Sequence, residues 1–339
     1  MNEMVNRSRR TSGRVTLADV AKFVGVGQMT VSRTLRTPEM VSEPLRERII
    51  TAVEQLGYVP NFSARQLASA SSQNLVVVTN SIISSENNLI LSALNKELSE
   101  LELQIVILVA DREHWLHELI NHSPQAIILL NINCPIKAVK WIKKSGIPTV
   151  EIGAKQVTPI NLNVGIDSKI AMKTMINFLI KKGYQEIGLL TAKQELSIFQ
   201  QYLESWHTTL LSQHINPQLI YHIAEPVSFS AGAKLFADAM LAWGKIDALV
   251  FISDELACGA LYEAQRRKIR VPQDIAIVSL GGLDVGSVCY PRLTTIEIAY
   301  EKMGKQAGHL LLKMLQGENL SEQERIIDVP VKLIERDSA

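Results

Sequence analysis

The chain has 339 residues, of which 47% are hydrophobic and 20% charged; it is too long for one compact core and too apolar for wholesale disorder, so two or three globular domains are expected. A net charge of +1 conceals an asymmetry, with residues 1–70 carrying +4 and the remainder −3, which suits a small nucleic-acid module on a solvated domain. Apolar runs such as Leu75–Val78 and Ala126–Leu130 are far short of the ~20 residues that span a bilayer.

The N-terminus is polar and arginine-rich and lacks the apolar core of an export signal. Cys134, Cys258 and Cys289 are widely spaced and odd in number, which reads as free thiols in a reducing compartment. A cytoplasmic protein without a membrane segment is expected.

Thr16-Leu17-Ala18-Asp19 has the form of a capping box. Leu17, Val20, Ala21 and Phe23 then supply an apolar stripe, and Gly25 ends the helix because glycine enters the left-handed region without strain. A second helix is expected from Gln28 to Leu35, burying Val31 and Leu35 and stopping at Thr37-Pro38. A third starts at Ser42, tolerates Pro44 in its first turn, and carries Leu45, Ile49, Val53 and Leu56 on one face. Three short helices, the first two joined by a tight glycine turn, describe a helix-turn-helix domain. The outer face of the second helix presents Gln28, Met29, Thr30, Ser32 and Arg33. Gln suits an adenine edge, Arg a guanine edge or a phosphate, and Met a thymine methyl. A solvated face in an unrelated three-helix bundle is the alternative on spacing alone.

Val15-Thr16-Leu17-Ala18-Asp19-Val20-Ala21, then Gly25-Val26 and Thr30-Val31-Ser32-Arg33, resembles the signature of the lac-repressor/galactose-repressor family. Leu56-Gly57-Tyr58-Val59-Pro60-Asn61 and Ala64-Arg65-Gln66-Leu67-Ala68 continue the resemblance in order. One departure is Gly27, where the family usually has a Ser or Thr cap. The resemblance implies that Gln28, Met29 and Arg33 read bases, while Thr16, Leu17, Thr30, Ser32 and Asn61 serve the DNA interface and its backbone contacts. It further implies a hinge helix over Asn61–Ala68, within a hinge and linker at 61–73, that includes Ala64 and inserts Leu67 into the minor groove as an apolar wedge. A linker residue packing on the following domain is the other reading of Leu67. The partners implied are double-stranded pseudopalindromic operator DNA, a second copy of the chain and a small-molecule effector.

From Leu75 the texture changes to alternating strands and helices. Strands are expected at Leu75–Val78, Ile105–Val109, Ala126–Leu130, Thr149–Ile152, Ile187–Thr191, Leu219–Ile223, Ala248–Ile252 and Ile275–Ser279. Helices are expected at Leu89–Leu101, Lys137–Ser145, Ile170–Lys182, Phe199–Leu211, Ala231–Trp243, Leu256–Arg266 and Lys302–Leu315. This alternation means parallel sheets covered on both faces, an α/β class, with ligands at the carboxyl ends of the strands. Val164-Gly165-Ile166-Asp167, Ser253-Asp254-Glu255-Leu256-Ala257 and Pro291-Arg292-Leu293-Thr294-Thr295 extend the family resemblance. It implies a two-lobed sensor of the periplasmic-binding-protein type I fold. The domains are then a helix-turn-helix at 14–60, the hinge at 61–73 and the sensor at 74–339, one lobe from 74–167 with 297–322 and the other from 168–296 with 323–339.

The resemblance marks Ser84, Asn87, Tyr202, Phe229, Ser253, Asp254 and Gly281 as candidate effector residues. Sugar-sensing relatives often have Arg at the position of Tyr202, Asp at Gly281 and Asn at Ser253, so an ordinary neutral sugar is disfavoured. The Ser279–Gly286 loop and the Gln28–Arg33 run are similar to those of gluconate- and idonate-responsive regulators, which makes a sugar acid such as gluconate the expected effector. His114, His117 and His122 lack the thiols or carboxylates of a metal site, and Gly281-Gly282 lacks a P-loop lysine. No cofactor, metal or catalytic residue is expected. The competing classes are a solute-binding transport component, an enzyme on a doubly wound fold, and a ligand-independent regulator.

Overall fold

The computed structural model describes residues 15–59, 73–110, 114–192 and 197–339. The chain divides into two compact units, Met1–Ser72 and Gln73–Ala339.

Among the described residues of the first unit three helices run over Leu17–Val24 (α1), Gln28–Arg36 (α2) and Glu43–Leu56 (α3), with a 3-10 turn at Pro38–Met40. The capping box forms: the Asp19 amide donates to Thr16 Oγ1 at 3.4 Å and the Thr16 amide to Asp19 Oδ2 at 2.8 Å. Gly25 closes α1 at φ 76°, so the Gly25 and Val26 amides both donate to the Ala21 carbonyl at 3.0 Å. Val20, Ala21, Val24, Val31, Ile49 and Ala52 make the core. Phe23, expected in that stripe, is 59% exposed, and Val24 is buried instead. On a helix of 3.6 residues per turn, positions 17, 20, 21 and 24 share a face and position 23 turns away.

The second unit holds two six-stranded sheets. The first contains Asn74–Thr79 (β1), Gln104–Val109 (β2), Ala126–Leu130 (β3), Thr149–Ala154 (β4), Leu162–Ile166 (β5) and Ile326–Asp328 (β11), in the order β2-β1-β3-β4-β5-β11 and parallel throughout. The second contains Ile187–Thr191 (β6), Ile220–His222 (β7), Ala248–Phe251 (β8), Ala276–Gly281 (β9), Thr294–Glu297 (β10) and Lys332–Ile334 (β12), in the order β7-β6-β8-β9-β10-β12. Only the β12–β10 pair of this sheet is antiparallel. Successive residues of a strand point to opposite faces, and both faces here are covered. Leu75 and Val77 enter one core cluster, while Val76 and Val78 enter another.

The covering helices are Ser85–Glu97 (α4), Trp115–Asn121 (α5), Ile136–Ser145 (α6), Ser168–Lys181 (α7), Ser197–Ser212 (α8), Phe229–Ala242 (α9), Asp254–Arg266 (α10), the single turn Val285–Val288 (α11) and Tyr300–Leu315 (α12). The chain passes between the sheets three times, at Asp167, at Ile298-Ala299 and at Val329–Val331. The last passage comes later than the expected residue 323, because Ile326–Asp328 first extend the β5 edge of the first sheet. The helix expected from Leu89 begins earlier, at Ser85 in α4, whose N-cap is Ser84. Polar residues in a first turn satisfy free amides and so hide the beginning of a helix from a hydrophobic-period reading.

Candidate functional site

On the first unit, Gln28, Met29 and Arg33 project from α2 into solvent, Met29 being 70% exposed, while Val31 is fully buried. Thr30 and Ser32 are half-buried, and Thr34 is buried with its hydroxyl donating to the Thr30 carbonyl at 2.9 Å. Thr16 is exposed at the start of α1, and Leu17 is half-buried against the three-helix core. Gly27 caps α2 with no side-chain hydrogen bond. Asn61, Ala64 and Leu67 lie outside the described residues.

In the second unit a cleft of about 420 Å³ opens between the lobes. Residues at or just past the carboxyl ends of strands line it: Asn80 and Ser81 after β1, Asn131 after β3, Gly153 in β4, Ile166 in β5, Ile252 and Ser253 after β8, and Leu280 in β9. That is where parallel sheets leave unpaired backbone groups and divergent loops, and hence where such folds place ligands. The N-termini of α4 and α10 flank the cleft from opposite lobes through Ser84, Glu86, Asn87, Ser253 and Glu255.

Ser84 and Ser253 are both helix caps: Ser84 Oγ accepts from the Asn87 amide at 3.2 Å, and Ser253 Oγ accepts from the Glu255 amide at 3.2 Å. Asn87 is buried and locked, donating to Thr79 Oγ1 at 3.0 Å and accepting from Asn131 Nδ2 at 2.8 Å. Asn131 reaches that position with a left-handed φ of 48°, which asparagine tolerates. A Cβ at Gly153 would lie 2.3 Å from Asn131 Oδ1, so only glycine permits this approach. Ser85 Oγ donates to Glu255 Oε1 at 2.7 Å, a hydrogen bond that joins the two lobes.

Four expected effector residues, Ser84, Asn87, Tyr202 and Ser253, therefore share the cleft, whereas Phe229, Asp254 and Gly281 are not in its wall. Phe229 is 43% exposed at the start of α9. Asp254 is fully buried beneath the cleft wall, where its carboxylate accepts from Ser279 Oγ, from the Leu283 amide and, at 3.0 Å, from Thr295 Oγ1. Burial pushes its pKa up, against the lowering effect of those three donors. A Cβ at Gly281 would lie 2.9 Å from Asp254 Oδ2, so the space an aspartate would need there is taken by Asp254 itself. Trp206 belongs to the core, its indole donating to the Pro217 carbonyl at 2.9 Å.

Sequence reasoning missed Asn80, Glu86, Asn131, Glu255 and Tyr300, all in the cleft wall. Glu86 and Glu255 each stand two residues after a serine cap, and that repeated pattern was the available signal. Burial raises the phenol pKa of Tyr202 and Tyr300, with the Glu86 charge adding to it. Among the described residues no group of His, Cys, Asp or Glu could hold a metal ion, and no helix is long and apolar enough to cross a membrane.

A helix-turn-helix unit followed by a two-lobed α/β unit with an interlobe cleft defines the class of ligand-responsive transcription regulators. Residues 16–61 match the model of bacterial regulatory proteins, lacI family, and residues 176–339 match that of the periplasmic binding protein-like domain. Over 314 residues the chain is 30% identical to the HTH-type transcriptional regulator GntR of Escherichia coli K12, covering 91% of this chain and 94% of that one. The crystal structure of a LacI-family transcriptional regulator from Silicibacter pomeroyi has a TM-score of 0.86 at 26% identity, covering 96% of this chain and 99% of that one. The lac repressor dimer bound to operator and the anti-inducer ONPF has a TM-score of 0.74 at 24% identity, over 96% of this chain and 99% of that one, a likeness in fold. The chain belongs to the lacI family of bacterial regulatory proteins.

Proposed function

We propose that the protein is a cytoplasmic, non-enzymatic homodimer that binds a pseudopalindromic operator through α2 and is released or recruited by a small molecule in the interlobe cleft. The observation that carries the reading is the exposed triplet Gln28, Met29 and Arg33 on a well-packed second helix within a lacI-family helix-turn-helix. Binding in the cleft changes the relative angle of the lobes and shifts the population able to grip DNA. Asn61, Ala64 and Leu67 are assigned to the hinge by resemblance, with Leu67 as the minor-groove wedge. Ser84, Asn87, Tyr202 and Ser253 are assigned to the effector by their place in the cleft wall. Gluconate and related aldonates are the ligands that the resemblance to sugar-acid regulators supplies.

Selection from random duplex DNA at physiological salt tests the DNA half. An enriched two-fold-symmetric site is expected. Gln28→Ala and Met29→Ala should relax preference at single positions by about 1–3 kcal/mol each. A pool with no sequence preference, with and without aldonates, would sink the reading. For the cleft half, a bulky Ser253→Trp substitution should abolish the ligand response while leaving operator binding in place.

A further inference from the structure

The helix that carries Gln28, Met29 and Arg33 has few attachments of its own. Of the described side chains of α2 only Val31 and Thr34 are buried, and Leu35 is half-buried. Gly27 caps it without a side-chain hydrogen bond. The turn leading into it, Gly25-Val26-Gly27, has a glycine at each end, and a Cβ on either would meet nothing within 4 Å. Glycines are conformationally permissive, so little steric contact fixes the chain at either end of the turn.

One hydrogen bond holds that turn from outside. The exposed Arg48 of α3 donates from Nη2 to the Val24 carbonyl at 3.1 Å. Val24 is the last residue of α1, where a helix leaves its final carbonyls without amide partners. A guanidinium suits the place twice, as a donor and as a positive charge at the negative end of the helix dipole. Among the described residues of the first unit, every other hydrogen bond and ion pair joins positions no more than five apart. The Arg48 contact is therefore the polar bond that ties one helix to another. Its loss falls on α2, because α1 and α3 share the core directly through Val20, Ala21, Val24, Ile49 and Ala52. Freedom between Val24 and Gly27 becomes freedom in the direction of α2.

We propose that Arg48 is a positioning residue for base reading: by fixing the end of α1 it sets the angle at which α2 meets the major groove, without touching DNA itself. The proposal rests on α2 being the DNA-reading helix. Hydrogen bonds to base edges are directional, so a small rotation of α2 loses them. Attraction to phosphates is far less directional and survives that rotation.

Two variants test it: Arg48→Met keeps the apolar stem without donor or charge, and Arg48→Lys keeps a donor and the charge. The full chain is titrated by fluorescence anisotropy with the duplex enriched from the random pool and with a scrambled duplex, over a range of salt. Arg48→Met should weaken binding to the enriched duplex at least about tenfold. Binding to the scrambled duplex should weaken less than about threefold, with an unchanged slope of log affinity on log salt. Arg48→Lys should return to within about threefold of wild type on the enriched duplex. In the DNA-free chain, the Val31 to Leu35 amides should exchange about fivefold faster in Arg48→Met, while the Ile49 to Val53 amides keep their rates. A salt slope that falls by about 0.9 for each Arg48 removed, with both duplexes weakened alike, would make Arg48 a phosphate contact and overturn the proposal. Exchange accelerated equally in all three helices, or an unchanged affinity for the enriched duplex, would overturn it as well and leave the role of α2 standing. A wild type that enriches no duplex would overturn the reading of α2 and this proposal together, a failure visible before any variant is made.

Discussion

Asp254 offers the sharpest test of how the cleft wall is built. Replacing it with alanine removes one acceptor from three donors. The two hydroxyls keep partners, since Ser279 Oγ lies 2.9 Å from Thr295 Oγ1, which also donates to the Ser279 carbonyl at 3.2 Å. The Leu283 amide has no second acceptor among the described residues, and an orphaned buried amide costs about 1–3 kcal/mol. Losing an acid from the first turn of α10 adds about 0.3–1 kcal/mol. The expected loss is therefore about 1.3–4 kcal/mol, or a midpoint lower by roughly 3–16 °C for a unit of this size.

Tryptophan fluorescence of the full chain reads this directly, because all four tryptophans (Trp115, Trp141, Trp206 and Trp243) lie in the second unit. The sign of the pH dependence follows from burial, which raises the folded-state pKa of Asp254. Below the unfolded value of about 3.9 both states are protonated and its contribution is fully present. As pH rises toward the raised folded value, the unfolded state ionises first and stability is lost. Asp254→Asn lacks that slope, so the balance should move in its favour between pH 4 and neutrality. An alanine variant within about 0.5 kcal/mol of wild type, or a wild-type-to-Asn difference flat with pH, would refute the argument.

Gly281→Asp, which restores the residue common in sugar-sensing relatives, should lower stability by about 1–3 kcal/mol and gain no affinity for a neutral sugar, because its Cβ would lie 2.9 Å from Asp254 Oδ2. Titration and thermal unfolding of the same variant check both halves. Gly259→Ala should cost about 3 kcal/mol or more, since a Cβ there would sit 1.9 Å from the Phe229 carbonyl oxygen and force α9 and α10 apart; an unchanged unfolding midpoint would contradict it. Thr16→Ala removes one half of the α1 capping box and should cost about 1 kcal/mol, read as roughly fivefold faster exchange of the first α1 amides. Equal exchange rates would mean that the cap contributes nothing.

The order of elements was legible because both units are built from local patterns. Thr16, Gly25 and the 17, 20, 21 register announce α1, and apolar runs such as Ala126–Leu130 announce strands buried on both faces. The short strands β5, β10, β11 and β12 carry weak runs and become strands through their neighbours in the sheet. Start positions of helices were read late wherever the first turn is polar, as at Ser85 and Asp254. Candidate effector residues divided for the same reason. Ser84 and Ser253 were found through motifs, while Asp254 and Gly281 sit in the same motifs but face each other behind the wall.

The sequence by itself determined a helix-turn-helix with Gln28, Met29 and Arg33 on the exposed face of its second helix, because side-chain identity and helical period are local properties. It also determined an α/β sensor, because alternating strands and helices leave parallel sheets as the way to pair every backbone group. Only the tertiary structure decided which acids reach the cleft. Glu86 and Glu255 are 169 positions apart in the chain and meet the same cavity because two separate sheets bring the N-termini of α4 and α10 to it. Asp254, one residue from Glu255, is turned inward by a helix that rotates about 100° per residue.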